Sequence, residues 1–479
     1  MTFNIQVTLG IAMTQSVVVQ VGQCGNQIGC RFWDLALREY AQFNKSALYD
    51  DAVGTFFRNV DSSDGTHLAG GGRIQLLKAR AVLVDMEEGV VSEILQGPLR
   101  DVFHSTQLLT DVSGAGNNWA VGHMTYGSIY RDKIVDKLRK AAEQCDCLQS
   151  FFLLNSMGGG TGSGLGTKVL SLLKDEFPGV CRIVTPVYPS IEDDVIISPY
   201  NSILAMRELT ENADCVLPVE NQALIDILNK ITHTCHGQQS RSIPKGDVLV
   251  PRKDGLTGSE RPFDAMNNIV AKMLLDITSS ARFGGTLNMD LNEIPMNLVP
   301  FPGLHYLVPS LSPLYSDVSG PARSLDQMFT DVFSKGHQLL KVDLMHSRHL
   351  ACALMLRGNV HVSDLRRNID RMKPRLPFVS WKQEGWKTSL CSVPPVGLSQ
   401  SLLALSNTCA IKSTFVELRE RFTKLYKKKA HLHHYLQVDG MEASLFSEAI
   451  TSLNSLIDEY QHLDSATFLP DPPRLNIAQ

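Results

Sequence analysis

The residues best suited to chemistry form the run Ser156-Met157-Gly158-Gly159-Gly160-Thr161-Gly162-Ser163-Gly164. Glycines let a backbone approach a ligand closely and aim successive N–H groups into one concavity. Such a turn suits phosphate, above all when a helix follows and adds the partial positive charge of its first turn. The apolar stretch 151–154 before the run reads as a buried strand, and 165–177 after it carries apolar residues at helical spacing. A plain packing turn has a similar composition, so spacing decides more than glycine count. Lys168 follows Thr167 rather than a glycine, which breaks the Walker A ending, and no G-x-G-x-x-G can be threaded through the run. A P-loop ATPase and an ordinary dinucleotide turn are both disfavoured.

Other polar clusters fall at the ends of predicted strands. Strand 16–21 runs into Gly22-Gln23-Cys24-Gly25-Asn26-Gln27-Ile28-Gly29, a second anion-binding turn with amide side chains, and then a helix to about 40. Strand 79–84 ends in Asp85-Met86-Glu87-Glu88. Carboxylates where phosphates gather make sense through a cation, since Mg²⁺ takes one or two of them beside phosphate and water oxygens; a helix cap with solvated charges is the alternative. Ser113-Gly114-Ala115-Gly116-Asn117-Asn118 precedes a helix over 128–142, and the acidic turn Glu192-Asp193-Asp194 follows strand 181–187. A helix over 199–211 and a short strand over 215–218 continue the alternation. Strands alternating with helices predict a parallel sheet covered on both faces, with these turns on one rim.

Elsewhere the chain supplies scaffold. Residues 50–72, rich in Asp, Ser and Gly, read as a long loop, and 232–262 as a polar interruption with Arg241, Lys245, Arg252, Lys253 and Arg261. Those basic residues fit an acidic partner or simple solvation. A long amphipathic helix is predicted over 263–281. Beyond it, strands over 304–308, 350–356, 378–381 and 389–393 with helices over 325–334 and 363–372 suggest an α+β unit. Two C-terminal helices follow, one opened by a capping box Thr414-Phe415-Val416-Glu417, the other over 441–462. His431, His433 and His434 fit no ligand spacing and read as a helix terminus with ring packing; Cys145 and Cys147 read as structural thiols. The net charge of −4 gives no general affinity for nucleic acid or membrane, and the ten cysteines without C-x-x-C pairs fit a reducing compartment.

Taken in order and spacing, Gly22 to Gly29, Gly114 to Trp119, the central glycine run, Pro199-Tyr200-Asn201 and Asn297-Leu298-Val299-Pro300 resemble the tubulin superfamily from Met13 to about His462. Asp85 to Val91, Glu192-Asp193-Asp194 and Gln437 to Glu442 are similar to its epsilon branch. The resemblance implies an α/β fold: a tubulin-like doubly wound GTPase domain over 13–262, a core helix over 263–283, a smaller α+β domain over 284–412 and a C-terminal helical pair over 413–462. Residues 1–12, without the features of a signal peptide, are expected to be a disordered extension, and 463–479 a tail.

By the same resemblance the ligand is GTP or GDP with Mg²⁺. Gln23, Cys24 and Gln27 are expected at the phosphates and base, Glu87 and Asp85 near Mg²⁺, and Ala115, Gly116 and Asn117 at the γ-phosphate. Ser156, Gly159, Gly160, Thr161 and Gly162 are expected to cradle the phosphates, Asn221 and Asn267 to read guanine, and Phe263 to stack on it. In Asp290-Leu291-Asn292-Glu293 the carboxylates are spaced i, i+3 at a predicted helix start. In the family this helix reaches the next subunit's nucleotide, which makes Glu293, with Asp290, the catalytic candidates in trans.

Some residues depart from the lattice-forming pattern. Ser198 replaces a Glu that faces the ribose and Asp194 a usual Thr, and the tail's only charges are Asp464, Asp471 and Arg474. The implied role is therefore specialised, in centriole or basal-body triplet microtubules, within cytoplasm, cytoskeleton and centrosome. Expected partners are delta-tubulin-like or alpha/beta-tubulin subunits and centriolar proteins. The alternatives are a conventional lattice tubulin, a nucleotide-locked cap, and, from another class, a nicotinamide-dependent oxidoreductase.

Overall fold

A computed structural model describes residues 14–61, 72–190, 193, 195–237, 263–314, 323–382 and 385–466, with backbone alone over 232–237. The 1–12 extension, Glu192, Asp194, residues 238–262 of the polar interruption and residues 467–479 lie outside them.

A β-branched stretch becomes the central strand. β1 (Gln15–Val21) is buried at every position, as a strand covered on both faces requires. β2 (Phe57–Val60) and β3 (Leu76–Ala79) form a separate antiparallel pair. β4 (Ala81–Asp85), β5 (Leu108–Thr110), β6 (Leu148–Ser156), β7 (Cys181–Tyr188), β8 (Cys215–Val216) and β9 (Val219–Glu220) join β1 in a parallel sheet. Its order is β5-β4-β1-β6-β7-β8, with β9 also on β7. The order reverses at β1, so a crevice opens there at the strands' carboxyl ends.

α1 (Gly22–Phe43) buries Phe32, Trp33, Ala36 and Tyr40 on one face, and Trp33 meets Phe56 and Phe57 edge-on. α2 (Glu88–Gln96), α3 (Arg131–Glu143), α4 (Gly166–Glu176), α5 (Ser198–Asn212) and α6 (Asn221–Gly237) complete the layers. α7 (Asp264–Ile277) buries Met266, Ile269, Val270, Met273, Leu274 and Ile277 together with Ala271, Leu275 and Asp276. A helix covered nearly all round belongs to the interior. It lies between α1 and a second sheet.

That sheet contains β10 (Gly285–Leu287), β11 (Leu307–Ser312), β12 (His349–Gly358), β13 (Trp386–Cys391) and β14 (Gln400–Thr408), in the order β10-β13-β12-β14-β11. β12 pairs parallel with β13 and antiparallel with β14. α8 (Glu293–Leu298), α9 (Leu325–Asp331) and α10 (Val362–Met372) accompany it, and α11 (Lys412–Tyr426) and α12 (Ala443–Ser465) pack on α5.

Four charged groups are buried where the layers meet. Arg282 reaches Glu39 at 2.6 Å, and Arg357, in central strand β12, reaches Glu39 at 2.9 Å and Asp276 at 3.1 Å. Burial opposes ionisation of Glu39, but the guanidinium groups of Arg282 and Arg357 outweigh it and hold its carboxyl below the usual range. Two cations and two anions balance, which is how charge is tolerated there.

Several expectations need correction. The 50–72 loop contains a helical turn at Asp51–Gly54, capped by the Asp50 carboxylate, and strand β2. The 79–84 strand divides into β3 and β4 on either side of Arg80, whose N–H instead donates to the Phe56 carbonyl. No strand forms over 378–381: Phe378 makes a single bridge to His349, and Ser380–Lys382 is a 3₁₀ turn after Pro377. β14 was not anticipated, although it is an apolar run. α11 starts at Lys412, so Thr414 lies inside the helix rather than at its cap.

Candidate functional site

One cavity of about 340 Å³ opens at the carboxyl ends of the parallel strands. Six connections converge on it, each following a strand because the parallel topology puts every β–α turn on the same rim. After β1, Gly22 takes a left-handed φ of +74°, and a Cβ there would stand 3.1 Å from the Gly162 nitrogen. The first two phosphate turns are therefore in contact. Gln23, Cys24 and Gln27 line the wall from the first two turns of α1, whose start has no side-chain cap. Desolvation pushes the Cys24 thiol up to about 12, so it is neutral at physiological pH.

After β6, Ser156, Gly159, Gly160, Thr161 and Gly162 line the floor. Residues Thr161–Leu165 form a π-helical turn leading into α4, again without a side-chain cap at Gly160. Amides at such a start are available to an anion. A side chain on Gly162 would strike Ser156, with the Ser156 nitrogen only 2.9 Å from its Cβ, and one on Gly160 would meet the Asn118 nitrogen at 2.6 Å. Ala115, Gly116 and Asn117 form the opposite lip, with Gly116 and Asn117 left-handed at φ +55° and +54°.

After β4, Asp85 and Glu87 face the same space. Asp85 is 3% exposed, and its Oδ2 has no hydrogen-bond partner among the described residues. Burial raises its carboxyl from 3.8 to about 6. An ionisable oxygen left unpartnered in a cavity wall fits a cation supplied with the ligand. Among the described residues no cluster of three or more His, Cys, Asp or Glu could hold a metal alone.

The far end of the cavity is lined by Asn221 at the start of α6 and by Phe263 and Asn267 at the start of α7. Phe263 is 54% exposed, so it is a ring at the cavity wall rather than a core residue. Asn267 is buried, and its Nδ2 has no hydrogen-bond partner among the described residues. Arg31 pairs with Asp264 at 2.7 Å and ties the start of α7 to α1.

The fold thus brings Asp85 and all fifteen residues expected at the ligand onto one cavity. It does not bring Asp290 and Glu293 there. Asp290 precedes α8 instead of sharing its face, and its carboxylate accepts from Gln149 Nε2 and the Leu291 N–H. Gln149 is the second residue of β6, whereas Ser156 ends it, roughly 23 Å away at about 3.3 Å per residue. Glu293 is ion-paired with Lys387 of β13. Sequence reading missed that lysine, and it also missed Asp193, which lines the cavity while Ser198 does not. The acidic turn was visible, but which of its residues faces inward depends on the fold. Cys145 accepts from Arg80 at 3.4 Å, in keeping with a structural thiol.

Fold and site together define a nucleotide-binding protein of the tubulin and FtsZ type. The profile described as "Tubulin/FtsZ family, GTPase domain" matches residues 15–229, and "Tubulin C-terminal domain" matches 302–420. The chain belongs to the tubulin family. It is 66% identical over 475 residues to the tubulin epsilon chain of Mus musculus and to that of Homo sapiens, covering 97% of this chain and 100% of each relative. It is an epsilon-tubulin homologue, and the oxidoreductase alternative has no support. No helix among the described residues is long and apolar enough to cross a membrane.

Proposed function

We propose that the chain binds GTP or GDP with Mg²⁺ and completes a hydrolytic site only between stacked subunits. The carrying observation is that Asp290, three residues before Glu293, bonds Gln149 near the amino end of β6, whereas the cavity lies at its carboxyl end, and that Glu293 pairs with Lys387 outside the cavity. An acid at one end of the sheet and a nucleotide site at the other cannot meet within one chain. Head-to-tail stacking would bring one subunit's α8 to the next subunit's cavity.

In this reading the amides of 159–162 and 115–117 hold the phosphates, and Ser156, Gln23 and Cys24 border them. Gln27, Asn221 and Asn267 meet the base, on which Phe263 stacks for about 0.5–1.5 kcal/mol. Asp85 and Glu87 hold Mg²⁺, which would neutralise phosphate charge, and Asp193 stands in for the missing acid at the ribose. Glu293 orients the attacking water once stacking draws it from Lys387, and Asp290 braces the turn that presents it. The cellular role is a specialised subunit of centriolar or basal-body microtubules, acting with other tubulins and centriolar proteins in the cytoplasm. The epsilon-type resemblance and the sparsely charged tail favour it.

The test is phosphate release with and without partner tubulins. Glu293→Ala should leave nucleotide affinity of the isolated chain unchanged and slow partner-stimulated release by about 10²–10⁴-fold. The Lys387 pairing favours a second reading, a nucleotide-locked cap. Unchanged release in Glu293→Ala would select the cap, and self-supporting polymer at micromolar protein would count against the specialised role.

A further inference from the structure

Asn201 is fully buried behind the phosphate turns, and its side chain joins them. Its Nδ2 donates to the Asn117 carbonyl at 2.7 Å and to the Gly158 carbonyl at 2.8 Å, one on each lip of the cavity. Its Oδ1 accepts from the Trp119 N–H at 2.9 Å and from the Tyr435 hydroxyl at 2.6 Å. Two donors and two acceptor sites are all an amide side chain has, so none is left over. The clasp also fixes the carbonyl of Asn117, which is left-handed, a conformation Asn tolerates better than most non-glycine residues.

Tyr435 is the only member of this clasp from outside the nucleotide-binding half. It lies on the short helix His433–Leu436, between α11 and α12. Its buried ring packs edge-on against Tyr200 at 5.6 Å and Phe446 at 5.4 Å, which aims the hydroxyl at Asn201. Two more bonds tie the segment to the same region: Tyr200 Oη donates to the Ala430 carbonyl at 3.0 Å, and Asn118 Nδ2 to the His434 carbonyl at 2.9 Å. The outward side carries exposed His431, His433 and His434 after Lys427, Lys428 and Lys429, so it can be touched from outside.

We infer that Tyr435, acting through Asn201, is a positioning residue for the phosphate turns, and that the 430–436 segment and the bound nucleotide sense each other through this relay. The nature of the ligand rests on the function proposed above. A contact that shifts the segment changes the hydrogen bonding of Asn117 and Gly158 to Asn201, and by linkage the nucleotide's state changes how firmly the segment docks.

The test uses the full chain and Tyr435→Phe, which keeps the ring packing and removes one hydroxyl. In nucleotide-free protein, hydrogen exchange at the Trp119 amide should quicken by about fivefold, the value of one ordinary hydrogen bond, while 349–358 stays unchanged. With nucleotide, the ratio of GTP to GDP affinity should also change about fivefold. GTP should slow exchange across 430–436 in the wild type and less in the variant. Equal exchange at Trp119, or an affinity ratio unchanged within twofold, would overturn the inference. So would a uniform rise that includes 349–358, because Tyr435 would then serve packing alone. Failure of the wild type to bind either nucleotide would instead sink the proposed function, and the Trp119 comparison would then decide the relay by itself.

Discussion

Asp85→Asn separates the cost of the site from its use. In the nucleotide-free protein Asp85 is buried with an unpartnered oxygen, and its carboxyl is raised from 3.8 to about 6. The folded state therefore holds this proton more tightly than the unfolded chain does, and stability present below pH 4 is lost as pH rises through about 6. That shift corresponds to about 3 kcal/mol at neutral pH. Asn has nearly the same shape and no charge to desolvate. In EDTA, urea unfolding at pH 7.5 should show Asp85→Asn more stable by up to about 3 kcal/mol, with the advantage shrinking towards zero near pH 4. With Mg²⁺ and GTP the gap should narrow by about 1.4–2.7 kcal/mol, because the variant loses a carboxylate and about 10–100-fold in metal-dependent affinity. In the wild type that affinity should fall roughly tenfold per unit below about pH 6, where the carboxyl takes up its proton. Equal stability of the two proteins in EDTA, or a gap that does not vary with pH, would refute the reasoning.

Glu39→Ala leaves Arg282 and Arg357 buried without their shared anion, and should cost about 3–5 kcal/mol in urea unfolding. Gly162→Ala drives a methyl group into Ser156 and should abolish guanine-nucleotide binding by calorimetry, whereas Gly179→Ala, with open space around it, should not. Asn267→Asp replaces the unpartnered Nδ2 donor with an acceptor, and should narrow the preference for guanine over adenine nucleotide by about tenfold in competition binding.

Local order carried much of what could be read beforehand. The glycine run, the β-branched stretch that becomes β1 and the periodicity of α7 announce themselves within a few residues, because backbone freedom and burial patterns are local properties. Parallel topology then follows from alternation, and with it the convergence of Asp85, Ser156 and Asn267 on one rim. Three features had no local signal. Asn201 lies 234 residues from Tyr435, Glu39 lies 318 from Arg357, and Lys387 meets Glu293 only when β13 joins the second sheet. Such partners are chosen by packing, which brings distant polar groups together and makes each satisfy the other once water is excluded. The sequence by itself thus determined which turns could hold phosphate. The tertiary structure alone decided what braces those turns, and that Asp290 bonds near the amino end of β6 while Glu293 pairs with Lys387, both outside the cavity.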